Sequence, residues 1–153
     1  MSPRLAMRRL AYRTAHAALR AYWFVRRPRV EGVKCVLTTS AQVLLVRHTY
    51  GNRAWDLPGG AIKRDERPLT TARREMREEL GVDIEDWRSL GQVFANDYHR
   101  QDVMNCFSAE LTRPELAFDR GEIAAAGWFA RDRLPAELSP HVREILARVD
   151  GQH

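Results

Sequence analysis

Cysteine is scarce in this chain of 153 residues, which contains only Cys35 and Cys106. Each lies in an apolar run that predicts a strand, and neither has a histidine or a second cysteine at the spacing of a zinc site. So low a cysteine content excludes a small scaffold held together by disulfide bonds. We therefore expect two buried, unreactive thiols in a reducing compartment.

Long apolar segments are also missing near the N-terminus. The helix predicted there is too charged to span a bilayer, and the apolar core of a signal peptide is interrupted by Arg13, His16 and Arg20. The chain has no internal repeat and no low-complexity segment. A chain of this length predicts one domain with an adequate core, and these features together favour a cytoplasmic protein.

An excess of positive charge is absent from most of the chain, although the formal net charge is +5. Residues 1–34 hold nine Lys and Arg against one Glu, whereas the remainder holds 16 basic and 19 acidic residues. The basic character thus belongs to the N-terminal segment. This argues against a protein built to bind nucleic acid, which needs a basic face on its folded body.

Residues 3–25 are predicted to form an amphipathic helix ahead of the main domain. Apolar residues recur at gaps of three and four on one face, namely Ala11, Ala15, Ala18, Tyr22 and Val25. Polar residues recur at the same gaps on the opposite face, namely Arg9, Arg13, His16 and Arg20. We expect the alanine face to pack, because small side chains allow a close approach.

Three interpretations of this helix remain open. It packs on the domain or on a second subunit of a homodimer, it lies on an anionic membrane surface, or it is a mitochondrial transit peptide. Its arginine face favours the membrane surface, whereas its low Ser and Thr content disfavours the transit peptide. We assign the helix and its linker to residues 1–31 and the main domain to residues 32–153, with Pro28 ending the helix.

The stretch from Leu57 to Val82 carries the strongest pattern in the chain. Pro68 suits the first turn of a helix, and Gly81 suits a helix C-terminus. Apolar residues between them recur at gaps of three and four, which predicts an amphipathic helix over 68–80. A Pro-Gly-Gly loop lies shortly before this helix.

Three carboxylates share one face of that helix, because Glu75, Glu78 and Glu79 stand at positions i, i+3 and i+4. Carboxylates this close repel one another and raise each other's pKa unless a cation lies between them. Hard oxygen ligands of this kind suit Mg²⁺ or Mn²⁺. The alternative is a solvated surface on which the glutamates pair with neighbouring arginines.

The spacing around these glutamates resembles the Nudix box. From Gly60 to Val82 it reads Gly, five residues, Glu, seven residues and then REMREELGV, and it meets every fixed position of the box. The preceding residues 55–59, WDLPG, are similar to the usual lead-in of the family. The resemblance covers roughly residues 32–149. The box is highly specific for the family and carries little information about the substrate.

The resemblance implies a hydrolase that cleaves a nucleoside diphosphate linked to another group, with Mg²⁺ or Mn²⁺ as its cofactor. It implies that Glu75, Glu78 and Glu79 hold the metal, with the carbonyl of Gly59 as a further ligand. Gly59 and Gly60 would let the chain pass close to metal and phosphate without a Cβ in the way.

Supporting roles follow from the same resemblance. Arg74 is expected to pair with Glu66 and so orient the glutamates. The general base is either a box glutamate or an acidic residue in a later loop. Glu122 is the candidate in that loop, because the run from it to Trp128 and Phe129 resembles one near the family's last strand. The alternative for Glu122 is an exposed loop charge.

The order of predicted elements agrees with the fold that the resemblance implies, an α/β/α sandwich with a mixed sheet. Strands are predicted over residues 33–38, 42–47, 90–95, 103–111 and 126–130. A last helix is predicted to begin with Ser139 as its N-cap and Pro140 in its first turn.

The resemblance also implies that a residue shortly before the Pro-Gly-Gly loop contacts the substrate. The candidates for a contact with the base or leaving group are Arg47, His48, Tyr50, Arg53 and Trp55. Packing in the core or on the surface is the alternative for each. Tyr98 loosely resembles a tyrosine of dinucleoside polyphosphate hydrolases, which assigns no substrate by itself.

Two functions are considered, an active hydrolase and a catalytically silent Nudix domain that binds nucleotides or regulates a partner. The intact glutamates favour the hydrolase.

Overall fold

A β-sheet lies between two helices in the computed structural model, and another helix precedes it in the chain. The structure describes residues 3–26, 29–97, 100–112 and 116–151. Within these ranges the helices are α1 (Pro3–Arg26), α2 (Pro68–Leu80) and α3 (Val142–Asp150). The strands are β1 (Arg29–Thr38), β2 (Gln42–His48), β3 (Gly59–Ala61), β4 (Arg88–Asp97), β5 (Arg100–Glu110) and β6 (Ile123–Ala130).

The sheet is mixed, as predicted. Its strand order is β4-β5-β1-β2-β6, and β3 pairs with β1 beside this path. β1 runs parallel to β5, whereas it runs antiparallel to β2 and β3. The pairs β2–β6 and β4–β5 are also antiparallel.

Central strands of this sheet are buried on both faces, which explains their nearly continuous apolar runs. Successive side chains of a strand point to opposite faces. In β1, Cys35 and Leu37 belong to the apolar cluster under α2, whereas Val36 belongs to the cluster under α3. Leu44 and Leu45 of β2 divide in the same way. The predicted α/β/α sandwich is therefore confirmed.

The helix that carries the glutamates begins and ends at the predicted residues. Pro68 occupies its first turn, and Gly81 adopts a φ of 67° after its last turn. The N–H of Gly81 donates to the carbonyl of Arg77 at 3.1 Å, and that of Val82 to the carbonyl of Met76 at 3.3 Å. These bonds close the C-terminus of α2 in the way that favours glycine.

Four strands, namely β1, β4, β5 and β6, begin earlier than their apolar patterns predict. β1 begins at Arg29, inside the segment assigned to the helix and linker, and β6 begins at Ile123. The additional residues join the sheet through partners that are distant in sequence, as Arg29 does opposite Gln101 of β5. Pro28 and Tyr98, which figured in the predictions, lie outside the described residues.

The prediction that Ser139 caps α3 is wrong. The residue before the helix is His141, which makes no side-chain capping bond. Ser139 is instead buried, and its N–H donates to the carbonyl of Trp55 at 2.9 Å. Its carbonyl accepts the N–H of Val142 at 3.1 Å. The serine is thus used to join the start of α3 to the segment before β3.

Both cysteines are free and buried, as expected. Burial raises the pKa of the Cys35 thiol well above its usual value, and it raises that of Cys106 to about 11. The thiolate is the reactive form, so neither side chain is poised for chemistry.

The N-terminal helix packs on its own domain through the face opposite to its alanine face. The five residues of the predicted apolar face are all exposed. Arg9, Tyr12 and His16 are turned toward the domain, and Trp23 is only 8% exposed. Hydrogen bonds and ring contacts with distant loops set this orientation, and a contact of the alanine face with a second subunit or a membrane stays a prediction. No helix among the described residues has the length and apolar character needed to cross a membrane.

Candidate active site

A glycine loop brings the backbone of β3 against the helix that carries the glutamates. β3 pairs with β1, so that Gly60 lies opposite Val33 and Gly59 opposite Lys34. A side chain at Gly59 would overlap the carbonyl of Val33, and one at Gly60 would overlap the carboxyl group of Glu75. Glycine therefore allows the loop to lie this close to both β1 and α2.

Arg74 holds three carboxylates with one guanidinium. Its Nε and Nη2 donate to the two oxygens of Glu66 at 2.9 and 3.0 Å, which forms the pair predicted from the sequence. Its Nη1 donates to Glu75 Oε1 at 2.6 Å and to Glu78 Oε2 at 3.0 Å. Nη2 also reaches the carbonyl of Ala61 at 3.3 Å. The guanidinium thus fixes two box glutamates relative to the glycine loop.

Glu66 supports this arrangement through further bonds. Its Oε2 accepts the hydroxyl of Thr71 at 2.8 Å and the N–H of Lys63 at 3.3 Å. Hydrogen bonds from Arg74 lower the pKa of Glu66 to about 2, and bonds to Glu66 raise the pKa of Arg74. Both groups therefore remain charged throughout the neutral range.

A second group, the buried group, consists of the buried Glu79 together with His48 and Glu122, which are half-buried. The N–H of Gly59 donates to Glu79 Oε2 at 3.2 Å. Glu79 Oε1 and His48 Nδ1 are buried and have no hydrogen-bond partner among the described residues. One ligand atom from each of the three side chains lies within 4.8 Å of the other two. Convergent donors with unpartnered buried atoms form an arrangement that can hold a metal ion.

Strand pairing brings His48 and Glu122 together. β2 and β6 are antiparallel, and His48 lies opposite Ile123, the residue that follows Glu122. The N–H of Thr49 donates to the carbonyl of Glu122 at 2.9 Å, and its hydroxyl donates to the preceding carbonyl at 2.9 Å. The hydroxyl of Tyr50 donates to Glu122 Oε1 at 2.9 Å. The carboxylate is therefore held in place from β2 and the turn after it.

Burial and mutual repulsion set the charge of these groups. Burial raises the pKa of Glu75, Glu79 and Glu122, and neighbouring carboxylates add to each increase. Burial, with a contribution from Lys34, lowers the pKa of His48 to about 4. His48 is thus neutral at neutral pH and offers a nitrogen lone pair. A cation among the carboxylates would relieve their repulsion.

The three box glutamates that lie on α2 therefore divide between two groups. Glu75 and Glu78 share Arg74, whereas Glu79 lies with His48 and Glu122. The sequence pattern places all three glutamates together, and it offers His48 only as a candidate for contact with substrate. His48 and Glu122 come together through the pairing of β2 with β6, which no local sequence pattern predicts.

Of the other candidates before the glycine loop, only some lie at the site. Tyr50 reaches the site through its hydroxyl group. Arg47 lies over the ring of Trp55, 4.8 Å from its centroid, and Trp55 packs edge-on against Phe129 at 4.9 Å between centroids. Arg53 is exposed in a turn with a φ of 58°. Packing thus accounts for Arg47 and Trp55, and neither contacts the buried group.

A third charged group links β1, the glycine loop and the start of α3. Lys34 Nζ lies 2.7 Å from Asp56 Oδ2, and His141 Nε2 lies 3.1 Å from Asp56 Oδ1. All three side chains are about 15% exposed. Burial would raise the pKa of Asp56, but Lys34 and His141 hold it well below its usual value.

A cavity of about 490 Å³ opens over these groups. Gly59 and Glu122 line one part of it, and Tyr12, His16 and Trp23 of α1 line another. Its volume lies in the range of small-molecule sites. The N-terminal helix is therefore part of the wall of this cavity.

Known proteins share this fold and sequence pattern. A family model for the NUDIX domain matches residues 28–149. ADP-ribose pyrophosphatase of Mycobacterium tuberculosis is 33% identical over 88 residues, which are 54% of this chain and 42% of that protein. NAD-capped RNA hydrolase NudC of the same organism is 30% identical over 115 residues, 73% of this chain and 36% of that protein.

A solved structure agrees over most of the chain. The crystal structure of MutT NUDIX hydrolase from Burkholderia pseudomallei superposes with a TM-score of 0.74 at 27% identity. The match covers 79% of this chain and 98% of that one. By contrast, this chain spans less than half the length of the two mycobacterial relatives.

Proposed function

This chain belongs to the Nudix family, and we propose that it hydrolyses the diphosphate bond of a nucleoside diphosphate linked to another group. The observation that carries this proposal is the buried group of His48, Glu79 and Glu122 beside the glycine loop. The names of the two mycobacterial relatives point to ADP-ribose and to NAD-capped RNA. Both compounds contain an adenosine linked through a diphosphate, which supports the same bond as the target here.

The residues of the site fit a divalent cation. Glu79 Oε1 and His48 Nδ1 are buried and have no hydrogen-bond partner in the part of the chain that the structure describes, and burial of such atoms is costly unless something pairs with them. Carboxylate oxygens suit Mg²⁺ and Mn²⁺, and an imidazole nitrogen is accepted more readily by transition ions. Glu79, Glu122 and His48 would hold the cation in this proposal. Glu75, Glu78 and the carbonyl of Gly59, which the sequence suggested, would complete the site with substrate bound.

A divalent cation supplies charge neutralisation for phosphate and Lewis-acid activation of water. The residues of the chain contribute by holding the carboxylates and the glycine loop in position. Arg74 and Glu66 fix Glu75 against the glycine loop, and Gly59 and Gly60 leave room for a phosphate group.

Glu122 is the candidate for the proton acceptor among the carboxylates. Tyr50 occupies one of its oxygens at 2.9 Å, which leaves the other for a water or a ligand. Burial raises its pKa, and a raised pKa makes a carboxylate a better acceptor at neutral pH. A role as metal ligand uses the same oxygen, so metal binding and proton transfer are measured separately below.

The test is a hydrolysis panel at neutral pH with Mg²⁺ or Mn²⁺. It compares ADP-ribose, NAD, nucleotide sugars, nucleoside triphosphates and dinucleoside polyphosphates by kcat/KM. We expect one of these classes to be hydrolysed far faster than the others. Release of a nucleoside monophosphate from the preferred substrate would identify the diphosphate bond as the one cleaved.

Glu79→Gln removes the charge of the buried group with little change in shape, and we expect kcat to fall at least about 100-fold. Manganese affinity, measured by titration calorimetry, should fall as well. Glu85→Gln is the matched control, because Glu85 is exposed and lies outside the site. Glu122→Gln distinguishes the two roles: a lost kcat with unchanged manganese affinity identifies a base. Nucleotide binding without hydrolysis in the wild-type chain would contradict the proposal and support a binding module.

A further inference from the structure

The N-terminal helix is attached to the turn that carries Glu122. Arg8 Nη2 lies 2.7 Å from Asp119 Oδ2, and Arg9 Nε donates to the carbonyl of Arg120 at 3.1 Å. Asp119 Oδ1 in turn accepts the N–H of Gly121 at 2.8 Å. Two consecutive arginines of α1 thus set the height and rotation of the helix over the cavity.

Beyond this attachment, α1 turns aromatic side chains toward the site. The Tyr12 and Tyr50 rings are nearly parallel, with centroids 6.1 Å apart and an interplanar angle of 20°. The His16 ring lies 5.2 Å from Tyr50, and the His48 ring lies 5.1 Å from it. Trp23 meets His16 edge-on at 6.0 Å. The rings form one continuous aromatic surface that reaches from the helix to the candidate metal group.

The cavity therefore has two chemically different parts. Glycine backbone and carboxylates line one part, which suits phosphate and a cation. Tyr12, His16 and Trp23 line the other part from α1, where the half-buried rings of Tyr12 and His16 offer faces to a flat ligand. A nucleotide has the same division, with a charged phosphate at one end and an aromatic base at the other.

We propose that α1 is the base-binding wall of the substrate site, with Tyr12 and His16 contacting the aromatic base of the nucleotide. The proposal rests on the proposed function, since it identifies the end of the substrate that this cavity selects. It also agrees with the orientation of the helix. Tyr12, His16 and Trp23 lie on the face of α1 that meets the domain and lines the cavity.

The test measures binding and hydrolysis separately in the full-length chain. ADP and inorganic diphosphate are titrated with Mn²⁺ present, and Tyr12→Leu is compared with the wild-type chain. Base stacking contributes enough that we expect ADP affinity to fall about fivefold to 100-fold. Diphosphate has no base, so its affinity should stay within twofold. For the preferred nucleotide substrate, KM should rise by the same factor as the ADP dissociation constant, and kcat should change little.

Tyr22→Leu is the matched control, because it makes the same substitution on the exposed face of α1, where Tyr22 is 51% exposed. It should leave both affinities unchanged. Tyr12→Phe keeps the ring and should restore ADP binding. If Tyr12→Leu fails to fold, as judged by thermal melting, His16→Leu replaces it with the same expectations.

The outcomes separate the two proposals. Unchanged ADP binding and KM in Tyr12→Leu and His16→Leu, with only a lower melting temperature, would overturn the base-binding wall and leave α1 as a packing element. Equal losses of ADP and diphosphate affinity would also overturn it, because a base contact cannot affect diphosphate. ADP binding that depends on Tyr12 in a chain without hydrolysis would refute the proposed function and retain this inference.

Discussion

Replacing Asp56 with Asn should destabilise the protein substantially. Asp56 contacts Lys34 at 2.7 Å and His141 at 3.1 Å, and all three side chains are about 15% exposed. Removing one member of a buried ion pair typically costs about 3–5 kcal/mol, because the remaining charge is left without its partner. Lys34 retains the carbonyl of Leu57 at 3.3 Å, so we expect the lower end of that range, about 3 kcal/mol.

This cost converts to a clear shift in melting temperature. For a domain of this size, 1 kcal/mol corresponds to about 2–4 °C, so Asp56→Asn should melt about 6–12 °C below the wild-type protein at pH 7. Asp83→Asn is the control, because Asp83 is 72% exposed and its pair with Arg77 lies at the surface. That variant should melt within about 2 °C of the wild type.

The difference should also depend on pH in a defined direction. Asp56 has a lowered pKa in the folded state, so its stabilising effect is complete above the pKa of an unfolded Asp, which is about 4. It is lost as the pH falls below that value toward the folded-state pKa. The gap between the wild type and Asp56→Asn should therefore be constant from pH 5 to 7 and smaller at pH 3. Equal melting temperatures at pH 7, or a gap that widens in acid, would refute this account of the ion cluster.

Three further experiments test the glycine loop, the guanidinium of Arg74 and the burial of the two cysteines. Gly60→Ala places a methyl group where the carboxyl group of Glu75 lies. We expect kcat to fall about 100-fold while the melting temperature changes little. Unchanged kinetics would contradict the close approach of Gly60 to Glu75. Arg74→Lys cannot keep the two-pronged pair, so kcat and melting temperature should both decrease, and full activity would show that one ammonium suffices. Cys35 and Cys106 should react with a thiol reagent only after unfolding, and rapid labelling of the native protein would contradict their burial.

Sequence reasoning succeeded where the signals are local. The bounds of α2 follow from Pro68 and Gly81, which act within one turn of the helix, and the structure has the same bounds. The pair of Arg74 with Glu66, which the resemblance to the Nudix box implies, is also present, and it joins the middle of α2 to the loop before the helix. Such features need no knowledge of the rest of the fold.

Features that depend on contacts between distant parts of the chain could not be predicted from the sequence. Alanine spacing did not identify the face by which α1 contacts its own domain, because that face is set by Asp119 and Tyr50, at least 24 residues beyond the helix. The sequence gives no sign that His48 meets Glu122, since only the pairing of β2 with β6 brings them together. In both cases the deciding contact joins residues that are far apart in the sequence.

The pairing of β2 with β6 also constrains when the site can form. Its partners lie 75 to 88 positions apart in the chain, and those of β1 and β5 lie 72 apart. Contacts of such long range require large loops to close, which makes folding slow compared with a helical bundle. During synthesis, His48 and Glu79 leave the ribosome well before Glu122 does. A nascent chain that ends before β6 therefore carries the complete Nudix box and still lacks the buried group, so the site is among the last parts of the protein to assemble.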